Sequence, residues 1–204
     1  MEYNADTPTA LIEAAVVQWY WLQELFPHAD QFNSIHDRLI DAWRNVAAER
    51  VHFAAVRDLP EDTQTLTYLM DTCQQAGFST QGIAIGALGC GRSAARFVDA
   101  DGAAINALFK LYPWEWMWHE PFAEFLPTGQ NLFVERGMTV EENGGDYGEE
   151  GFVYQALAPI PNFGGNRPVC GVWVVNHAAC GLGVREDTRR ITGNLSRFVP
   201  HRMG

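Results

Sequence analysis

Short apolar runs alternate along this chain with longer stretches whose apolar residues return every three or four positions. That alternation restricts the fold more than any other feature. Residues 51–56 read as a buried strand closed by Asp58-Leu59-Pro60. Residues 61–75 read as a helix with Leu66, Leu69 and Met70 turned inward and Gly77 as its stop. Residues 82–91 are predicted as a short apolar strand ending in a glycine-rich turn, and 107–112 as a further strand. Pro113 ends that strand and opens a helix over 114–118. Upstream, Thr7 is predicted as the N-cap and Pro8 as the first residue of a helix carrying Ile12, Ala15, Val16, Trp19 and Phe26. A second helix is predicted over 34–49, with Asp37 placed as a capping-box carboxylate three residues after Ser34. Helices and strands in this order make an α/β layer structure.

From Gln130 the pattern changes. Strands are predicted at 131–135 and 138–141 around an Arg136-Gly137 hairpin, then at 152–157, 172–176 and 178–185, with a Pro/Gly/Asn loop over 159–168. The last third is therefore read as mostly antiparallel β. The expected organisation is α/β (α+β): a mixed layer of helices and strands over residues 1–129, followed by a β-rich part over 130–204. Glu2-Tyr3-Asn4 reads as the end of a strand, so sequence is expected to precede it.

Composition narrows the function. The 204 residues are 47% hydrophobic and hold 14 Lys+Arg against 25 Asp+Glu, a formal charge of -11. Such a chain repels phosphate backbones, which argues against nucleic acid and anionic membranes as partners. Lys110 is the sole lysine. The four cysteines form no CxxC pair and read as buried hydrophobes in a reducing compartment. With no secretory leader or membrane-length apolar run, the expected location is the cytoplasm.

Several residues carry chemistry. Glu2 and Asn4 leave the same face of a strand, and a carboxylate beside an amide oxygen suits a hard cation such as Mg2+. The same pair is also an ordinary polar strand end. Arg185 closes an apolar strand beside Glu186 and Asp187, where it suits either a phosphoryl clamp or a surface ion pair. Glu61 and Asp62 sit at a helix N-terminus, where acids favour the dipole and also suit a cationic amine. Asp146, Glu149 and Glu150 form an acidic turn that reads as solvated. The glycines at 82, 86, 89 and 91 fit neither GxxxxGK[ST] nor GxGxxG. Trp114, Trp116 and Trp118 read as core and rim packing.

Longer motifs point further. Glu2-Tyr3-Asn4-Ala5-Asp6-Thr7-Pro8-Thr9, Gln31-Phe32-Asn33-Ser34-Ile35-His36, the stretch from Leu108 to Trp116, Tyr147-Gly148-Glu149-Glu150-Gly151, Tyr154-Gln155-Ala156-Leu157, Val184-Arg185-Glu186-Asp187 and Ser196-Arg197-Phe198-Val199-Pro200-His201 follow one another in this order. Together they resemble the glutathionylspermidine synthase-like family. The resemblance implies an ATP-grasp-like fold and an ATP-dependent carboxylate–amine ligase, working through an acyl phosphate with ATP and Mg2+. It implies a peptide carboxylate such as glutathione and an amine such as a polyamine as substrates. By the same resemblance, Glu2 and Asn4 are Mg2+ ligands, Thr7 contacts the thiol-peptide, and Glu61 and Asp62 are substrate-side acids. Gln155, Ala156 and Leu157 form the adenine hinge, and Arg185 steadies the transferring phosphoryl group.

Two departures from the family pattern shape the expectation. The family's third metal-ligand acid and its substrate arginine lie upstream of the Glu-Tyr-Asn stretch. The run Phe125–Gln130 also leads straight into Asn131-Leu132-Phe133, where relatives carry a long segment with the lysines that grip ATP phosphates. Two readings follow: a ligase that is catalytically incomplete, or a non-catalytic module of the same descent that binds a polyamine or peptide.

Overall fold

The computed structural model describes residues 6–91, 96–123, 126, 132–133 (backbone only), 159–189, 192–193 and 195–204. Four parallel strands form the central sheet: β1 (Arg50–Ala55), β2 (Ser79–Ala84), β5 (Ala107–Leu111) and β6 (Leu132–Phe133), in the order β2-β1-β5-β6. Strand β1 pairs with both neighbours, so that Ala55 lies opposite Ala84 on one side and Leu111 on the other. Strands β1 and β5 are buried throughout except at Arg50, which is why their sequence is almost continuously apolar. Val51, Phe53, Ala55, Ala107, Phe109 and Leu111 point to one face, against α2 (Ile35–Trp43) and α3 (Pro60–Gln75). Ala54 and Leu108 point to the other, where Ile85, Leu88, Phe97, Ile105, Met117 and Phe122 form a second cluster.

A second, antiparallel sheet holds β7 (Arg167–Val175), β8 (Ala178–Asp187) and β9 (Arg197–Phe198). It packs against α2 and the amino-terminal helix through Trp173, Val175 and Cys180, which belong to the larger core cluster. The approach is close at Gly181, where a Cβ would lie 2.5 Å from Ile35 Cδ1. Asn176 and His177, with φ of 49° and 64°, make a two-residue hairpin turn of the kind whose backbone matches strand twist. The mixed α/β architecture with an antiparallel carboxyl-terminal sheet is thus as expected.

Several boundaries differ. Thr7 does not cap a helix. Its carbonyl accepts from Thr9 N, Ala10 takes φ 60°, and helix begins at residue 11. A π-helical segment, Glu13–Val17, then leads into α1 (Gln18–Leu25). Buried Gln18 and half-buried Asn33 explain how the wider turn is tolerated, because their side-chain amides donate to the Ala14 and Ala15 carbonyls. The second helix ends at Trp43 rather than 49, where Val46 N turns back to the Trp43 carbonyl. Ser34 makes no side-chain cap; its hydroxyl donates to Cys180 O at 3.1 Å, a partner supplied by β8. The strand expected over 82–91 is split. Strand β2 starts earlier, a 3-10 turn follows at Ile85–Ala87, and β3 (Gly89–Gly91) pairs with β4 (Arg96–Val98) away from the central sheet. The polar start of β2 reflects its edge position, where one side faces solvent. Trp116 and Trp118 are exposed rim residues, and Met117 is the buried residue between them. The hairpin at Arg136-Gly137, the strands at 138–141 and 152–157, and the acidic turn at Asp146, Glu149 and Glu150 lie outside the described residues.

Candidate functional site

The carboxyl ends of β1, β2 and β5 share one edge of the sheet, and three connections leave from it. In open parallel sheets this edge is where ligands bind, because the diverging connections leave a crevice. The loop after β1 enters α3 at Pro60, with Glu61 exposed and Asp62 half-buried. Burial, and then the neighbouring Glu61 carboxylate, raise the Asp62 pKa above the usual carboxylate range. The segment after β5 carries Tyr112 and the short helix α4 (Trp114–Met117). Tyr112 donates to Glu120 Oε1 at 2.6 Å, and burial with that acid moves the phenol up to about 12.

The amino-terminal stretch is fastened to the same edge. Lys110 Nζ donates to Asp6 Oδ1 and, at 3.0 Å, to the Tyr112 carbonyl. The ammonium also lies 4.4 Å from the centre of the Trp114 ring. Asp6 Oδ2 accepts from Trp114 N at 2.9 Å. Thr7, the residue assigned to the thiol-peptide, therefore follows directly on an acid held at both oxygens. Sequence reasoning missed this pairing, although a lysine in the middle of an all-buried strand is a legible signal that an acid must meet it.

Arg185 stands elsewhere, on the antiparallel sheet. Its guanidinium donates to Gly193 O at 2.8 Å and Ser196 O at 3.3 Å. Asp187 accepts from the Ser196 hydroxyl at 2.7 Å and from Arg189, whose side chain holds this carboxyl well below its ordinary range. Glu186 pairs with Arg197 at 3.0 Å. The Arg-Glu-Asp and Ser-Arg-Phe motifs, nine residues apart, thus clamp the end of β8 to β9.

The structure therefore puts Thr7 next to the carboxyl end of β5, puts Glu61 and Asp62 at the start of α3 after β1, and puts Arg185 in the clamp of another sheet. Glu2, Asn4, Gln155, Ala156 and Leu157 lie outside the described residues. Among the described residues, no group of three or more His, Cys, Asp or Glu side chains is arranged to hold a metal ion. Lys110 and Arg185 are not placed as a phosphate grip: Lys110 is 2% exposed with its ammonium engaged by Asp6, and Arg185 donates to backbone carbonyls. A hollow of about 730 Å³ between the end of α1 and the carboxyl-terminal residues, lined by Phe26, Pro27, His28 and Arg202, includes none of the assigned residues. Among the described residues no helix is long and apolar enough to cross a membrane.

A parallel sheet with crossover helices, its candidate site at the carboxyl edge, and an antiparallel sheet beyond it make this an α/β protein of the ATP-grasp-like kind. The particular family follows from comparison. The sequence model described as "Glutathionylspermidine synthase preATP-grasp" matches residues 1–135 and 128–204, so the chain belongs to that family. A Haemophilus influenzae protein provisionally named an acid–amine ligase is 33% identical, the match covering 98% of this chain and 70% of that protein. Trypanothione synthetase of Crithidia fasciculata is 22% identical over 99% of this chain and 44% of its own length. The aligned stretches, 273 and 295 residues, exceed the 204 of this chain, so both relatives carry residues with no counterpart here.

Proposed function

We propose that this chain is of the ATP-dependent carboxylate–amine ligase type, keeping the layer that binds the acid and the amine but not the phosphate grip. In such ligases ATP phosphorylates a carboxylate, and an amine displaces the phosphate to form an amide. Thr7 is assigned to a peptide acid such as glutathione, and Glu61 and Asp62 to an amine such as a polyamine. Glu2 and Asn4 are assigned to Mg2+, and Gln155, Ala156 and Leu157 to adenine. Arg185 is the candidate for the phosphoryl group, with its guanidinium released from the Gly193 and Ser196 carbonyls.

One observation carries the reading: the sole lysine is spent on Asp6. Each lost donor to a developing charge costs roughly 10²–10³ in rate. Two further facts support a missing internal segment. The family match falls into two pieces that meet over 128–135, and the relatives' aligned stretches are longer than this chain. The chain is therefore expected to bind its substrates without joining them.

Melting temperature and phosphate release, measured with glutathione, spermidine, ATP and Mg2+, test this. Glutathione and spermidine should each raise the melting temperature by mass action, with phosphate release at background. ATP-dependent release that disappears in Arg185→Ala would make the chain a complete ligase and end the reading of a lost grip. A melting temperature unmoved by either substrate would leave the non-catalytic interaction module in its place.

A further inference from the structure

We infer that Lys110 is a positioning residue: through Asp6 it fixes the Asp6–Ala10 turn that presents Thr7 at the carboxyl edge of the central sheet. The inference rests on the assignment of Thr7 to the peptide acid.

Stability does not explain a lysine at this place. Its neighbours on the same sheet face, Ala54 and Leu108, belong to an apolar cluster with Met117 and Ile105, and an apolar side chain of similar length suits that setting. Taking an ammonium out of water costs more than such a pair reliably returns, and buried pairs are often replaced by hydrophobic residues at no loss. What the lysine supplies is direction. Its ammonium meets the Asp6 carboxylate, the Tyr112 carbonyl and the Trp114 ring, three partners that fix where it sits. The other Asp6 oxygen is taken by Trp114 N, so the carboxylate is held in position and in rotation.

The turn that follows needs such an anchor. Ala10 has φ 60°, a left-handed conformation that a residue with a Cβ adopts only when the surroundings impose it. At its far side Leu11 is buried and Ala14 N bonds to the Ala10 carbonyl, so the helix end is fixed. Pro8 is buried within the turn. Asp6 is the near fixed point. Without it, the turn keeps its Leu11 side but loses the anchor next to Thr7, which is then no longer fixed relative to β5.

Lys110→Met removes the cation, and Lys110→Met combined with Asp6→Asn removes both charges in case the single variant leaves an ill-solvated acid. Amide hydrogen exchange and the affinities for glutathione and spermidine are measured on both. Exchange in residues 6–12 should quicken about tenfold with β1 and β5 unchanged. Glutathione binding should weaken about tenfold as the competent turn becomes a minor state, and spermidine binding should hold. Unchanged exchange over 6–12, exchange that quickens equally in β1 and β5, an unaltered glutathione affinity, or failure of both variants to fold would each overturn the inference. If the unmodified chain binds no glutathione, the assignment of Thr7 falls. The exchange measurement then still decides whether Lys110 holds the turn.

Discussion

His52 ties the stability of this protein to pH. It lies on β1, 2% exposed, with its Nε2 3.6 Å from Asp99 Oδ2. That separation is a Coulombic contact and too long for a hydrogen bond. Asp99 is served by other donors: the Asp101 and Ala103 amides at 3.0 and 2.8 Å and the Gln81 amide at 3.2 Å. The pull of Asp99 raises the imidazole pKa, while Arg50 and above all burial lower it, and the balance is a pKa below 6.5. The unfolded chain therefore binds the proton first as pH falls. Stability is intact above 6.5, declines as pH drops through 6.5, and continues to decline down to the folded-state pKa. His201, also lowered by burial, adds the same sign. Thermal unfolding between pH 7 and 5.5 should show the midpoint falling, and His52→Leu should flatten that slope. A slope unchanged by the substitution would remove His52 as its source.

Elements differ in how openly the sequence declares them. Strands β1 and β5 were legible because a strand buried on both faces must be almost wholly apolar. Helix α3 was legible from its apolar period and its Gly77 stop, although Pro60, read as closing the strand, is its first residue. Strand β2 was half-missed because an edge strand need not be apolar, so its first residues, Ser79 to Gln81, carry no hydrophobic signal. Thr7 and Ser34 look like caps in sequence, but Thr7 is taken up by a local turn with Thr9, and the partner that claims the Ser34 hydroxyl, Cys180 O, lies far along the chain. The same limit hid the candidate site's main contact, since nothing local to Asp6 names Lys110 as its partner. The β7–β8 hairpin was seen as two strands without its turn, because Asn-His is a weaker turn signal than Asn-Gly. His177 holds φ 64° with a Cβ in place, so His177→Gly relieves that conformation. A gain of about 0.5 kcal/mol is expected, after the extra freedom glycine gives the unfolded chain. Denaturant titration should show a higher midpoint with the same slope; a lower midpoint would mean the imidazole contributes more than the strain it bears.

At the scale of the whole molecule, the two sheets share one core. Trp173, Val175 and Cys180 of the antiparallel sheet stand in the same cluster as Phe53, Phe109 and Leu111 of the parallel one, with Ile35 and Trp43 of α2 between them. Backbone hydrogen bonds run along the seam, among them Ser34 N to Cys180 O at 2.7 Å and Leu182 N to Phe32 O at 3.0 Å. The antiparallel sheet buries its apolar face on α2, whose other side covers the parallel sheet, so the spans 1–129 and 130–204 are expected to unfold together, whatever their separate chemical roles. Gly181 tests this because it sits in the seam. An alanine there brings a methyl to 2.5 Å from Ile35 Cδ1 and 2.6 Å from Cγ1, and Ile35 is fully buried. Overpacking of this sort costs about 1–3 kcal/mol. In a chain of this length that lowers the melting temperature by about 3–10 °C. If the core is common, calorimetry of Gly181→Ala should show a single transition at the lower temperature, with calorimetric and van't Hoff enthalpies equal, because the wedge burdens both sheets at once. An early transition confined to the antiparallel sheet, leaving the parallel sheet to melt at its original temperature, would mean that the cluster is two cores in contact.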